Sequence, residues 1–143
     1  MPSPSKVRRR QRGFTLVELL VVIVILGLLI GIVAPRAIDF LSRAKADVAR
    51  IQIENLATAL EWFRVDNGRY PTTEEGLDVL IKRPVGLTRW RGPYLKGDKV
   101  PLDPWTRPYV YEAPGSGGKA YGLLSLGEDG RKGGDGDNAD ITN

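Results

Sequence analysis

Residues 8–36 read RRRQRGFTLVELLVVIVILGLLIGIVAPR, and the reading of this stretch decides the fold. From Phe14 to Ala34 it holds 21 residues with one charge, Glu18. As a helix that run is about 32 Å long, against roughly 30 Å of bilayer hydrocarbon, so it is long enough to span. A secretory signal peptide has a shorter apolar region closed by a small-residue cleavage site. No A-x-A pattern ends this run, and the polar chain beyond Pro35 reads as more helix. Lys6, Arg8, Arg9, Arg10 and Arg12 precede Gly13, while only Arg36 lies close on the far side. This asymmetry keeps the leader cytoplasmic and sends the body of the chain across. Pro35 lacks an amide donor and should kink or loosen the helix where the membrane ends. Gly27 and Gly31 form a small-xxx-small pair that permits close helix contact, or simply reflect the frequency of glycine in membrane helices.

Glu18 needs a separate account. A carboxylate in a membrane helix costs on the order of 2.5–3.5 kcal/mol at mid-depth, less near the interface, and usually has a partner. One reading is local: the side chain reaches headgroups or the positive amino-terminal end of its own helix. The other is intermolecular, with a cation supplied by a second molecule.

The charge of the remaining chain is balanced. The formal net charge of +4 comes from 21 basic and 17 acidic residues. Setting aside the five cations before Gly13 leaves 16 basic against 17 acidic, or −1, so the basic character belongs to the leader rather than to a nucleic-acid surface. There is no Cys and no His. Disulfides, thiol nucleophiles, imidazole bases and the usual zinc ligands are therefore excluded, and a catalytic reading would rest on carboxylates, Lys or Tyr alone.

Beyond Pro35 a helix is expected over 36–66. Ile53, Leu56, Leu60 and Phe63 form one apolar stripe with Arg50, Glu54, Glu61 and Arg64 mostly off it, and Ile38, Leu41, Ala44 and Val48 form a thinner one. The first stripe faces a core; the second is free to meet neighbouring molecules. Asn67, Gly68 and Pro71 stop the helix. A short helix is expected over 73–82 with a Thr72–Glu75 capping box, followed by a loop over 84–107 pegged into the core by Trp90, Tyr94, Leu95 and Trp105. Arg89, Trp90 and Arg91 interleave as in single-strand binders, but one such cluster on a balanced globule favours packing. A β-hairpin is expected over 108–126 around the PGSGG loop, leaning on the long helix because two strands alone are marginal.

The carboxyl end packs Glu128, Asp129, Asp135, Asp137 and Asp140 among glycines. Hard cations take six to eight oxygens, and glycine lets a backbone bend to gather them. EF-hand spacing is absent, and the nonapeptide calcium repeat is approached only once, at 133–138. Composition alone leaves two readings open, a calcium loop or a solvated acidic tail.

The segment RGFTLVELLVVIVILGLLIGIVAPR resembles the type III signal sequence of type IV pilins and type II secretion pseudopilins. Taken with YPTTEEGLDVLI, GPYLK, PLDPWTRPYVY and YGLLSLGEDGRKGGDGDNADI, the chain is similar to the major, G-type pseudopilins of type II secretion. The resemblance implies an α+β, pilin-like fold, with a long amino-terminal helix on a small antiparallel sheet and a carboxyl-terminal calcium loop over 126–140. It implies a leader (1–13) cut by the prepilin peptidase after Gly13, a methylated Phe14 amine, a transmembrane helix over 14–35 and a periplasmic domain over 36–143. Glu18 would answer the terminal amine of a neighbouring subunit during assembly. The implied metal is Ca²⁺, held by Asp129 and Asp137 with backbone oxygens of Leu126 and Arg131; Asp135, Asn138 and Asp140 are further candidates. Asn138 stands where many members carry Asp. The implied function is a non-enzymatic subunit of a periplasmic filament that drives folded proteins across the outer membrane, powered by a cytoplasmic ATPase. Its partners would be other copies, minor pseudopilins, the prepilin peptidase and the inner-membrane assembly platform, with no nucleic acid. A type IV pilin for adhesion or motility is the near alternative, disfavoured because such pilins commonly carry a terminal disulfide loop. A membrane-tethered, calcium-dependent module that never polymerises is the distant one.

Overall fold

The computed structural model describes residues 13–143, apart from the side chains of Pro35 and Asp137. The leader expected over 1–13 lies outside the described residues but for Gly13. Helix α1 runs Leu16–Asn67. Two compact units divide the chain, one ending at Ile38 and the other spanning Asp39–Asn143.

In the first unit every residue from Gly13 to Ala34 is exposed, and the helix is long and apolar enough to cross a membrane. A spanning segment must satisfy its backbone internally, which a helix does. The helical backbone continues through Pro35 rather than ending there.

In the second unit α1 buries the stripe read from its periodicity. Ile53, Leu56, Leu60 and Phe63 are buried, joined by Ala49 and Ala59. The opposite side of the same helix leaves Ile51, Trp62 and Val65 exposed. Gly68, at φ +77°, ends the helix, its amide donating to the Arg64 carbonyl at 2.7 Å.

After α1 the expected capping box forms: the Thr72 amide donates to Glu75 Oε2 at 2.8 Å and the Glu75 amide to Thr72 Oγ1 at 3.2 Å. The α-helix expected over 73–82 does not follow. Gly76, at φ +62°, turns the chain out of the helical region, and only a 3₁₀ turn over Leu77–Leu80 remains. That turn suffices to bury Leu77, Val79 and Leu80. The following loop docks by its aromatic residues. Trp90 Nε1 donates to the Val79 carbonyl at 2.7 Å, and Tyr94 sits edge-on to both Phe63 and Trp90 with ring centroids 5.7 Å apart.

The sheet has three strands in the order β1–β2–β3: β1 (Val110–Glu112), β2 (Gly122–Ser125) and β3 (Ile141–Thr142), all antiparallel. Tyr111 opposes Leu123 and Ser125 opposes Ile141, so these four share the buried face. Val110, Leu124 and Thr142 point the other way. The Tyr109 hydroxyl donates to Gln52 Oε1 and ties the start of the sheet to α1. β3 was not expected; it supplies the third strand that a marginal hairpin needs.

Candidate functional site

Two regions carry the candidate residues. At the start of α1, Gly13 is exposed and Phe14 is 79% exposed. Thr15 caps the helix and Glu18 reaches back: the Glu18 amide donates to Thr15 Oγ1 at 3.2 Å, and the Thr15 amide to Glu18 Oε2 at 3.4 Å. This is a capping box, with the carboxylate in the first turn where the helix dipole favours an anion. The reading in which Glu18 answers the amino-terminal end of its own helix thus has a geometry, and the T-x-x-E spacing of Thr15 and Glu18 is the signal that could have shown it. The second contact is long, and the side chain is exposed and able to take another partner.

The second region is the loop from Leu126 to Asp140. Gly127, at φ +61°, is buried, and a Cβ there would stand 2.8 Å from the Ala139 carbonyl oxygen. Only glycine lets the two ends of the loop approach this closely. The Gly130 amide donates to the Leu126 carbonyl at 3.2 Å, and the Arg131 amide to Asp129 Oδ1 at 2.9 Å. At the far end the Gly133 amide donates to Asp140 Oδ2 at 2.8 Å, while Asp140 Oδ1 is buried without a hydrogen-bond partner among the described residues. The Asn138 amide donates to the Asp135 carbonyl at 3.2 Å, and both side chains are exposed. The Asp137 side chain, a leading candidate ligand, lies outside the described ones. Among the described residues no three acidic side chains converge. Asp129, Asp135 and Asp140 are therefore on one loop but not in one cluster.

The loop is anchored by residues that sequence reading passed over. Asp103 is 4% exposed, and its Oδ1 accepts the amides of Trp105 at 3.0 Å and Arg107 at 2.8 Å. Its Oδ2 accepts the hydroxyl of fully buried Ser125, on β2, at 2.7 Å. The Arg107 guanidinium then donates through Nη2 to the carbonyls of Gly127 and Glu128. Glu128 Oε2 accepts the hydroxyl of buried Ser42 on α1 at 3.1 Å. An Asp followed by Pro and Trp, able to accept amides two and four residues on, is the signal that could have identified Asp103.

Residues 36–143 match the family described as type II secretion system (T2SS), protein G, and residues 8–34 match the prokaryotic N-terminal methylation motif. The type II secretion system core protein G of Pseudomonas aeruginosa is 46% identical over 140 residues, covering 95% of this chain and 96% of that protein. That of Vibrio cholerae is 40% identical over 141 residues, covering 96% and 94%. The crystal structure of the major pseudopilin from the type 2 secretion system of enterohaemorrhagic Escherichia coli aligns with a TM-score of 0.61 at 30% identity, covering 71% of this chain and 84% of that one. The chain belongs to the type II secretion system protein G family, as a structural subunit of the pseudopilus and not an enzyme.

Proposed function

We propose that this chain is made as an inner-membrane precursor, cut after Gly13 and methylated on Phe14, and then drawn into a helical periplasmic filament that moves folded proteins toward the outer membrane. The observation that carries this is the run from Gly13 to Ala34, which exposes all of its residues. A bilayer covers such a segment before assembly, and the same segments of other copies cover it afterwards. The new amine on Phe14 is a cation of the sign that Glu18 needs, and the long Thr15 contact is weak enough to yield to it. Other copies, minor pseudopilins, the prepilin peptidase and the inner-membrane platform are the partners in this reading.

We also assign Ca²⁺ to the loop over 126–140. The donors on offer are all oxygens, which suits a hard cation. The unpartnered, buried Oδ1 of Asp140 is a polar atom that a cation would satisfy. Asp140 thus moves ahead of exposed Asp135, with Asp129, Asp137 and the carbonyls of Leu126 and Arg131 completing the proposed set; Asn138 can add its amide oxygen. The metal supplies loop closure in a domain without disulfides, so its binding energy adds to folding energy.

Intact mass of the membrane-extracted protein tests the processing. The expected species is Phe14–Asn143 plus one methyl group, and a mass that retains the leader refutes the reading. Glu18→Ala should leave the processed protein in the membrane and abolish filaments; filaments at wild-type level would refute the amine pairing.

A further inference from the structure

Arg107 is a charged group that the metal reading leaves unused. It lies half-buried, and among the described residues it forms no ion pair. Its Nη2 donates to the carbonyl oxygen of Gly127 and, at 2.9 Å, to that of Glu128. Its Nη1 occupies the space that a Cβ on Gly130 would fill, and Gly130, at φ +69°, has no side chain to exclude it. The backbone that carries the guanidinium is itself fixed: the Arg107 amide donates to Asp103 Oδ1, and the Arg107 carbonyl accepts the Asp103 amide, both at 2.8 Å. A cation that forms no ion pair among the described residues, seated on main-chain oxygens beside a loop of acids, is placed to act on the shape of that loop.

We propose that Arg107 is the positioning residue of the carboxyl-terminal loop: its guanidinium fixes the turn 127–130 so that the carboxylates on either side are presented to calcium. The inference rests on the calcium assignment above. With the carbonyls of Gly127 and Glu128 held by Arg107, the metal draws on the donors beyond them, and of the described side chains there Asp140 is the one with an oxygen, Oδ1, already buried and unsatisfied. Two physical effects of Arg107 on the metal have opposite signs. A fixed positive charge repels a second cation and weakens binding. Holding the loop in its bound shape strengthens it, because less ordering remains to be done on binding. The sign of the change on removing Arg107 therefore separates a positioning group from a merely charged neighbour.

The test is calorimetric calcium titration of the detergent-solubilised full chain after chelator dialysis, on wild type, Arg107→Gln, Arg107→Lys and Gly130→Ala. Urea midpoints at saturating calcium are measured alongside. Loss of a group that orients a metal's ligands typically weakens affinity about 10- to 100-fold. Arg107→Gln is expected to fall in that range despite losing a repelling charge. Arg107→Lys should recover part of the loss, because an ammonium lacks the planar fork. Gly130→Ala, which displaces the guanidinium while keeping it, should weaken binding similarly, and the double variant should be no worse than either single one. Arg107→Gln that binds as tightly as wild type, or more tightly, overturns the proposal, as does a lowered urea midpoint with unchanged affinity. If Arg107→Gln fails to fold, the same two outcomes are read from Gly130→Ala. Wild type that binds no calcium is a different failure: it removes the calcium assignment and the role of Arg107 with it.

Discussion

Replacing Asp103 by Ala tests whether the carboxyl-terminal half is organised around one buried carboxylate. Asp103 accepts two amide hydrogen bonds, from Trp105 and Arg107, and one hydroxyl bond from Ser125, at 2.7–3.0 Å. A hydrogen bond to a charged acceptor is worth about 1.5–3 kcal/mol, and a buried hydroxyl left without a partner costs about 1–3 kcal/mol. The three bonds are not additive, and because no cation among the described residues pairs with the carboxylate its own desolvation offsets part of the gain. A net loss of roughly 3–5 kcal/mol is expected, a large fraction of the about 5–15 kcal/mol available to a domain of this size. At about 4–8 °C per kcal/mol, the midpoint of thermal unfolding should fall by roughly 12–40 °C. Asp103→Asn keeps an oxygen for the two amides and can donate to Ser125, so it should cost only about 1 kcal/mol. Ser125→Ala combined with Asp103→Ala removes the orphaned hydroxyl, and the pair should cost less than the sum of the singles. Urea titration of the purified chain followed by tryptophan fluorescence reads the change, because Trp105 adjoins the turn. Asp103→Ala within about 1 kcal/mol of wild type, or Asn as damaging as Ala, would refute the reasoning.

Phe63 is fully buried on α1, so Phe63→Ala should cost about 3–5 kcal/mol in the same titration, whereas Trp62→Ala, one residue earlier and 61% exposed, should change the stability of the single chain by less than about 0.5 kcal/mol. Equal losses at the two positions would contradict the assignment of the helix faces. Burial pushes the Tyr109 hydroxyl up to about 12. The folded state then keeps a proton that the unfolded state loses near pH 10, so stability is whole below that pH and should decline by about 1.4 kcal/mol per pH unit as pH rises from about 10 toward 12. Tyr109→Phe should flatten that part of the decline, as measured by urea midpoints across the alkaline range; an unchanged slope would count against it.

Features set by local pattern were legible in the sequence. The stripe from Ile53 to Phe63 repeats at helical spacing and is buried as read. The Thr72–Glu75 box was legible for the same reason, since its four residues suffice to define it. What it could not reveal is that Gly76 would adopt a positive φ and divert the chain into a 3₁₀ turn, because glycine permits both outcomes. β3 escaped notice because two residues after a glycine-rich loop carry no measurable alternation; only pairing with Leu124 and Ser125 makes them a strand. In the candidate metal loop the acids were plain from composition, but the distinction between Asp140, with one oxygen buried, and exposed Asp135 depends on tertiary burial. Asp103 lay in a proline-rich loop, where a carboxylate is ordinarily solvated, and its burial follows from Ser125 on a strand 22 residues away.

Exposed apolar surface separates what this chain can do alone from what it needs others to do. In the packed unit the helix exposes Phe40, Leu41, Val48, Ile51, Trp62 and Val65 among polar residues, apolar side chains of the scattered kind that soluble proteins commonly tolerate. The run from Phe14 to Val33 is different in kind, because it is long, continuous and exposed around the whole helix. At roughly 25 cal/mol per Å² of apolar area, leaving such a segment in water would cost more than the whole net stability of a small domain. No rearrangement of the packed unit could offset that, since its core is already filled by the buried stripe, the 3₁₀ turn and the sheet. The segment therefore needs a non-aqueous partner. In the proposed assembly, lipid gives way to protein as that partner; this exchange is the subunit's task, and the carboxylate at position 18 would be the polar group whose satisfaction changes with it.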